Sequence, residues 1–256
     1  MASQLDYAGG TFVDGLVDEA DEAFEVADVA VESSRRLVIA FVGLAFEARI
    51  AAGPGVLVVC RTAGSELATV TAAAVRQGYR GLISFGVAGG LASHLRAGDW
   101  VVASSVRESR TERETDAAWS RKLLGKIGGA IHAPILGVDE AIAEPAQKRE
   151  LYKTTGAVAV DMESHMVARV AAEHNLAFAA ARVVVDPAHR VVPPAALIGM
   201  RPDGRANIWA VMRDLVMRPS QVGPMARIAA DAYAARAAMN RVRRRLGPHF
   251  GLMDHA

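Results

Sequence analysis

The sequence predicts a single α/β domain with helices layered on one mixed or parallel sheet. Three observations point to it. Short apolar runs alternate with segments of helical spacing from residue 37 onward, and no polar linker interrupts residues 37 to 190. In addition, 52% of the 256 residues are hydrophobic, enough for one well-buried core.

Leu37 to Phe46 is an uncharged apolar run of ten residues, short and bounded enough for a buried strand, and Gly55 to Cys60 is a second. Ser65 to Gln77 carries Leu67, Val70, Ala74 and Val75 at helical spacing and stops at Gly78, where a helix end favours glycine. Leu82 to Phe85 and Asp99 to Val106 read as strands on either side of a glycine-rich turn. Ala117 to Ile127 reads as a helix, Ile131 to Val138 as a strand and Pro145 to Thr155 as a helix. A short strand, Ala157 to Val160, leads into a helix over Glu163 to His174, with Met166, Val167, Val170 and Ala171 on one side. Ala177 to Val185 is a continuous apolar strand ending at Asp186. Val191 to Arg205 is an irregular loop rich in Pro and Gly, followed by helical patterns over Asn207 to Met217 and Met225 to Leu246. The domain plan is an acidic extension over 1–34, a domain over 35–247 closing on a basic helix, and a tail over 248–256.

Charge and cysteine usage exclude several classes. Lys+Arg 29 against Asp+Glu 28 leaves a net charge of +1, without the global field that gathers nucleic acid. A lone cysteine, Cys60, excludes an internal disulfide framework and a paired-cysteine zinc site. The longest apolar run is half of the roughly 20 residues a membrane-spanning helix needs. The first basic residue is Arg35, so no charged start precedes an apolar block, and a cytoplasmic location is expected. Charge is polarised, however. Residues 1–34 hold nine acidic groups and no Lys or Arg, whereas Arg201 to Ala256 holds ten arginines against four aspartates, with Arg241, Arg243, Arg244 and Arg245 nearly contiguous.

Four places could hold chemistry. Gly86-Val87-Ala88-Gly89-Gly90 follows an apolar strand, where a backbone without Cβ lets a ligand approach. Its spacing fits neither a dinucleotide fingerprint nor a P-loop, and a tight turn explains it equally well. Asp161-Met162-Glu163 lies where a strand gives way to a helix, the edge where open α/β sheets bind ligands. Capping of the helix accounts for Asp161 and less fully for Glu163. Asp186 ends a buried run and is either a turn-former or a poised acid, and Glu47 ends the first strand and could simply be its first solvated residue. One sheet could bring all four to a single edge. The histidines show no metal-ligand spacing, although His165 lies beside Glu163 and could face the site.

In this order, strand-Glu47, Gly-x-Ala-Gly-Gly-Leu followed by Leu-x-x-Gly-Asp, Val-Asp-Met-Glu and Arg182-x-x-x-Asp186 resemble the purine nucleoside phosphorylase and methylthioadenosine nucleosidase superfamily over roughly residues 38–190. Val42 to Arg49 and Val160 to His165 look most like the hopanoid-associated phosphorylases, which remove adenine from adenosylhopane. The resemblance implies a three-layer α/β/α domain with a central mixed sheet, acting on an adenine nucleoside with a bulky apolar 5′ substituent. It gives Met162 and Glu163 the ribose and gives Asp186 the leaving purine at N7. Arg182 and Glu47 would orient water or phosphate, which approaches over Gly86, Val87, Ala88 and Gly89, and Ala141 and Ile142 would read the base. No cofactor or metal is implied, and phosphate enters only as the co-substrate of a phosphorolytic version. A homo-oligomer is implied as well.

Three positions depart from the family pattern. Val87 stands where many members have a serine contacting phosphate or water, Val185 precedes Asp186 where serine is common, and Ala141 lies where an aromatic often stacks on the base. Two features bear on a lipid-linked substrate: the apolar segment Val191 to Met200, equally able to pack on its own core or on a second subunit, and the Arg241 to Arg245 cluster, which either meets anionic headgroups at the inner membrane face or is a solvated helix end. The alternatives are an enzyme for methylthioadenosine or other purine nucleosides, and an inactive nucleoside-binding protein on the same fold.

Overall fold

The apolar runs form one nine-stranded sheet. In this computed structural model, which describes residues 11–14, 37–60, 62–192 and 222–252, the strands are β1 (Thr11–Asp14), β2 (Leu37–Val42), β3 (Val56–Cys60), β4 (Tyr79–Gly90), β5 (Trp100–Glu108), β6 (Thr111–Glu114), β7 (Ile131–Gly137), β8 (Ala159–Asp161) and β9 (Ala177–Asp186). The helices are α1 (Ala45–Ala51), α2 (Gly64–Arg76), α3 (Ala117–Ile127), α4 (Pro145–Thr155), α5 (Ser164–Glu173) and α6 (Val222–Leu246). The expected helix over Asn207 to Met217 and the apolar segment beyond Val192 lie outside the described residues, as does all of the acidic extension except β1, which pairs in parallel with β3.

The sheet is mixed, as expected, because β4 serves two partners. Along Gly81–Gly89 it pairs in parallel with β9, and at Gly89 and Gly90 it pairs antiparallel with β8. Since β9 also pairs with β5, β5 with β7 and β7 with β8, strands β4, β9, β5, β7 and β8 close a ring. The remaining strands β3, β2 and β1 extend the sheet beyond β4 as an open parallel wing.

Period-two alternation of side chains gives the central strands two buried faces. Val38, Ala40, Val42, Ile83, Phe85, Ala181 and Val183 face Trp119 and Leu123 of α3 and Met239, Val242 and Leu246 of α6. Their neighbours Ile39, Phe41, Leu82 and Ala180 pack against Leu67 and Ala74 of α2 and Val167, Val170 and Ala171 of α5. This is the three-layer α/β/α arrangement.

Three expectations need correcting. The first strand stops at Val42, and Ala45 to Ala51 turn into α1, because Gly43 and Leu44 donate their N–H groups to the Glu47 carboxylate and so cap the helix from within. Glu47 is therefore a buried helix residue, 1% exposed, and not the first solvated residue after a strand. The glycines 86–90 are strand and not turn, paired to β9 and β8, and none of them has a positive φ. The reversal of direction comes later, over residues 91–99. Strand β6 was missed because Thr-Glu-Arg-Glu has no apolar alternation, and it is held as an edge hairpin by β5 alone.

The basic end of α6 sits at the sheet edge where β2 and β3 begin. There Arg243 turns inward, donating to the carbonyls of Ala51 and Gly247 and stacking 4.6 Å over Phe250, while Arg241, Arg244 and Arg245 remain exposed.

Candidate active site

At the other edge, where β2, β4, β8 and β9 end, the polar residues of the buried strands converge. Glu47 is held by three backbone donors: Oε2 accepts from Gly43 and Leu44 at 2.8 Å each, and Oε1 accepts from Val87 at 2.8 Å. A carboxylate has about four acceptor sites, so one lone pair on Oε1 is left for a further donor. Burial pushes this carboxyl up to about 7; the Arg182 guanidinium pulls against that shift and the Glu163 carboxylate adds to it. The group is thus poised to exchange a proton near neutrality.

Arg182, on β9, is 1% exposed. It pairs with Asp161 Oδ2 at 2.6 Å and with Glu163 Oε2 at 3.4 Å, and donates to Ser84 Oγ at 2.5 Å. Burial alone would lower its pKa, but Asp161, Glu163 and Glu47 together outweigh that and raise it, so the guanidinium stays charged. Three carboxylates share this one cation.

The glycines fit this crowding. A Cβ on Gly86 would lie 2.6 Å from both Arg182 Nη1 and Glu47 Oε1, and one on Gly43 would lie 2.5 Å from Glu163 Oε1. They are bare because charged groups pass directly over them.

Asp186 occupies a second position on the same strand pair. Gly86 is in register with Arg182 and Gly89 with Asp186, three residues further along β4, or about 10 Å. The Asp186 carboxylate lies over Gly89, both oxygens 3.2 Å from where a Cβ would be, and Oδ2 accepts from Lys148 Nζ at 2.5 Å. Burial pushes the Asp186 carboxyl above the usual carboxylate range, and Lys148 returns part of that shift.

Met162 is 36% exposed, and Glu163 beside it stands at the N-terminal boundary of α5 without a side-chain capping bond. Ala141 is exposed on the segment between β7 and α4, and Ile142 packs with Leu91, Leu136 and Val160 at the same edge. The Val192 N–H donates to the Ala143 carbonyl, so the chain leaving β9 also runs past this segment. Val87 contributes its N–H to Glu47 and presents no hydroxyl, and Ala88 is buried in the core. His165 is buried behind the site against Gly137, its Nε2 3.3 Å from Asp139.

The structure therefore brings Glu47, Gly86, Val87, Glu163 and Arg182 into one cluster, with Asp186 and Gly89 next to it. Two features escaped the sequence reading. Asp161 caps α5, accepting from the Ser164 N–H at 3.1 Å, but it is also the main partner of Arg182. A signal for this existed: Ser84 and Arg182 are polar residues inside apolar strands, and buried polar groups need partners. Lys148 gave no signal, because it is a lysine on an otherwise polar helix.

The model of the phosphorylase superfamily matches residues 19–195. Among solved structures, the chain is similar to a Helicobacter pylori 5′-methylthioadenosine nucleosidase mutant with 5′-methylthioadenosine in its active site, at 15% identity and a TM-score of 0.57 over 83% of this chain and 97% of that one. It is similar to the Neisseria meningitidis 5′-methylthioadenosine/S-adenosylhomocysteine nucleosidase in complex with methylthio-immucillin-A, at 16% identity and a TM-score of 0.56 over 82% and 100%. A third is the futalosine hydrolase of Helicobacter pylori, at 14% identity and a TM-score of 0.54 over 81% and 97%. At such identities these structures establish the fold alone. No curated protein matches the sequence. With its model matched across most of the chain, the family is clear: this protein belongs to the phosphorylase superfamily and is an enzyme of the nucleosidase/phosphorylase class.

Proposed function

We propose that this enzyme hydrolyses the N-glycosidic bond of an adenine nucleoside carrying a bulky apolar 5′ group, adenosylhopane being the substrate the sequence resemblance implies. The observation that carries the reaction is Glu47: a buried carboxyl held by three backbone N–H groups, titrating near 7, with one acceptor site to spare beside Arg182 and Glu163. Breaking C1′–N9 leaves positive charge on the ribose and sends the bonding pair to the purine. Glu163 accepts from the sugar hydroxyls and stabilises that positive charge. Glu47 takes a proton from water as its oxygen bonds to C1′, and Asp186 gives a proton to purine N7, so one water is consumed and free adenine leaves. Holding water and sugar in line supplies the positioning part of the acceleration.

Water is favoured over phosphate by two features. Val87 has no hydroxyl to hold an anion, and Arg182 is already shared among Asp161, Glu163 and Glu47, so a phosphate dianion would enter a site with an excess of carboxylates. The apolar 5′ group is supported by the exposed apolar side chains of Met162 and Val191. The basic cluster of α6 lies at the opposite edge, so a headgroup contact there would turn the site away from the bilayer. Among the described residues no helix is long and apolar enough to cross a membrane.

A second reading keeps the chemistry and changes the substrate to a soluble nucleoside. It is favoured by the likeness to the nucleosidase holding 5′-methylthioadenosine. Adenine release from adenosylhopane in detergent and from methylthioadenosine, each with and without phosphate, separates the two. Release from the hopanoid alone, at a rate indifferent to phosphate, is expected. Release from methylthioadenosine alone moves the assignment to the soluble substrate, and a strict phosphate requirement removes the hydrolytic mechanism.

A further inference from the structure

At the sheet edge opposite the candidate active site, a cavity of about 660 Å³ opens between residues 52–55 and the end of α6. Arg243, Arg244 and His249 line it, with Pro54 and Pro248 as apolar walls, and none of the described residues around it is acidic. Arg243 is part-buried, yet its guanidinium meets only neutral groups. Nε and Nη1 donate to the carbonyls of Ala51 and Gly247 at 3.0 and 2.7 Å, Nη2 donates to that of Ala52 at 3.4 Å, and the Phe250 ring lies 4.6 Å away. Burial pulls its pKa down, whereas three carboxylates push that of Arg182 up. An arginine has five N–H groups, so two remain for a further acceptor. A cation withdrawn from water without a counter-ion is costly, and an anion bound beside it removes that cost.

His249 is a second unsatisfied group at the same cavity. Its ring lies where a Cβ on Gly55 would be, and its buried Nδ1 has no hydrogen-bond partner among the described residues. The turn that places it is strained: His249 and Phe250 have φ of 56° and 50°, the left-handed region that residues with a Cβ rarely enter. Strain of this kind persists only where surrounding contacts hold it, and here Trp119 Nε1 donates to the Phe250 carbonyl at 3.0 Å.

We propose that this cavity is a second ligand site, binding a phosphate group through Arg243, Arg244 and His249. A terminal phosphate offers three strong acceptor oxygens, and guanidinium forks match it in shape as well as charge. The cavity is larger than a bare phosphate needs, so Pro54 and Pro248 face the rest of the ligand, either a small phosphate ester or the headgroup of an anionic lipid. The site does not depend on the nucleoside cleavage proposed above.

The test is titration calorimetry of inorganic phosphate into wild type, Arg243→Met, Arg244→Ala and a control, Arg241→Ala, whose arginine is exposed and does not line the cavity. Arg243→Met and Arg244→Ala are each expected to weaken binding by about tenfold or more. Arg241→Ala should stay within about twofold of wild type. Arg243 also anchors α6, so Arg244→Ala carries the test if Arg243→Met does not fold. Arg244→Ala should release adenine at the wild-type rate, which separates this result from any failure of the proposed reaction. Sedimentation with phosphatidylcholine vesicles, with and without phosphatidic acid, identifies the source: capture by phosphatidic acid that is lost in Arg244→Ala means a headgroup, and phosphate binding without capture means a soluble ester. Absence of both in wild type, or equal weakening in Arg241→Ala, would overturn the proposal. So would binding indifferent to Arg243 and Arg244, which would put the phosphate elsewhere. Binding strengthened by about tenfold in Asp254→Asn would make the chain's own tail the occupant and overturn it as well.

Discussion

Glu47 should make the protein less stable as the pH rises through neutrality. Its carboxyl titrates at about 7 in the fold against an ordinary 4.5. Because the folded value is the higher one, the native state prefers the protonated form. No penalty exists below about pH 4.5; it grows as the pH rises and is complete above about pH 7. The difference corresponds to about 3 kcal/mol. In Glu47→Gln that titration is gone, but the amide NH2 must face at least one of the N–H groups of Gly43, Leu44 and Val87, a cost of about 1–3 kcal/mol that does not depend on pH. Urea unfolding at pH 5 and pH 8 separates the two effects. Asp186 and every other titrating group are common to both proteins, so the wild type should lose about 2.5 kcal/mol more than Glu47→Gln over that interval, the rest of the penalty being already present at pH 5. Equal losses would mean that the Glu47 carboxyl titrates in its ordinary range, which would remove the raised proton affinity from the account.

Gly86→Ala places a methyl 2.6 Å from Arg182 and Glu47 on a strand paired on both sides, and adenine release should fall by about 100-fold or more, with a stability loss of about 1–3 kcal/mol by thermal unfolding. Gly125→Ala, on α3 with open space around its Cβ, serves as the control. It should raise stability by up to about 1 kcal/mol and leave turnover unchanged. Asp186→Asn should bind nucleoside with KM near wild type, while kcat in steady-state assays drops by about 10²–10⁴. In wild type, kcat/KM should rise with pH through about 7 as Glu47 becomes able to accept a proton, and Glu47→Gln should lose that limb.

Where the signal was hydrophobic period, the fold was legible in the sequence. Pro145 to Thr155 and Ala117 to Ile127 are helices at the expected residues, and Ala177 to Val185 is the expected strand with Asp186 at its end. The reading failed where period carries no information. An apolar run such as Leu37 to Phe46 cannot show where strand becomes helix, because both are buried; the change is made by a carboxylate that returns to cap Gly43 and Leu44. Likewise, Gly86 to Gly90 looks like a turn until the groups passing over it are known. Glu47, Glu163 and Asp186 were legible as polar residues past strand ends and Arg182 through the family resemblance alone, and the structure gathers them at one edge. Lys148 was not, since burial of a lysine depends on a carboxylate 38 residues away.

The most direct test of hydrolysis at this site is single-turnover adenine release in 18O-labelled water without phosphate, with mass analysis of the sugar product. The account requires one 18O atom at C1 of the released ribosyl group in wild type, and little or no product from Glu47→Gln. Phosphate-dependent release of a ribosyl phosphate free of the label would contradict it.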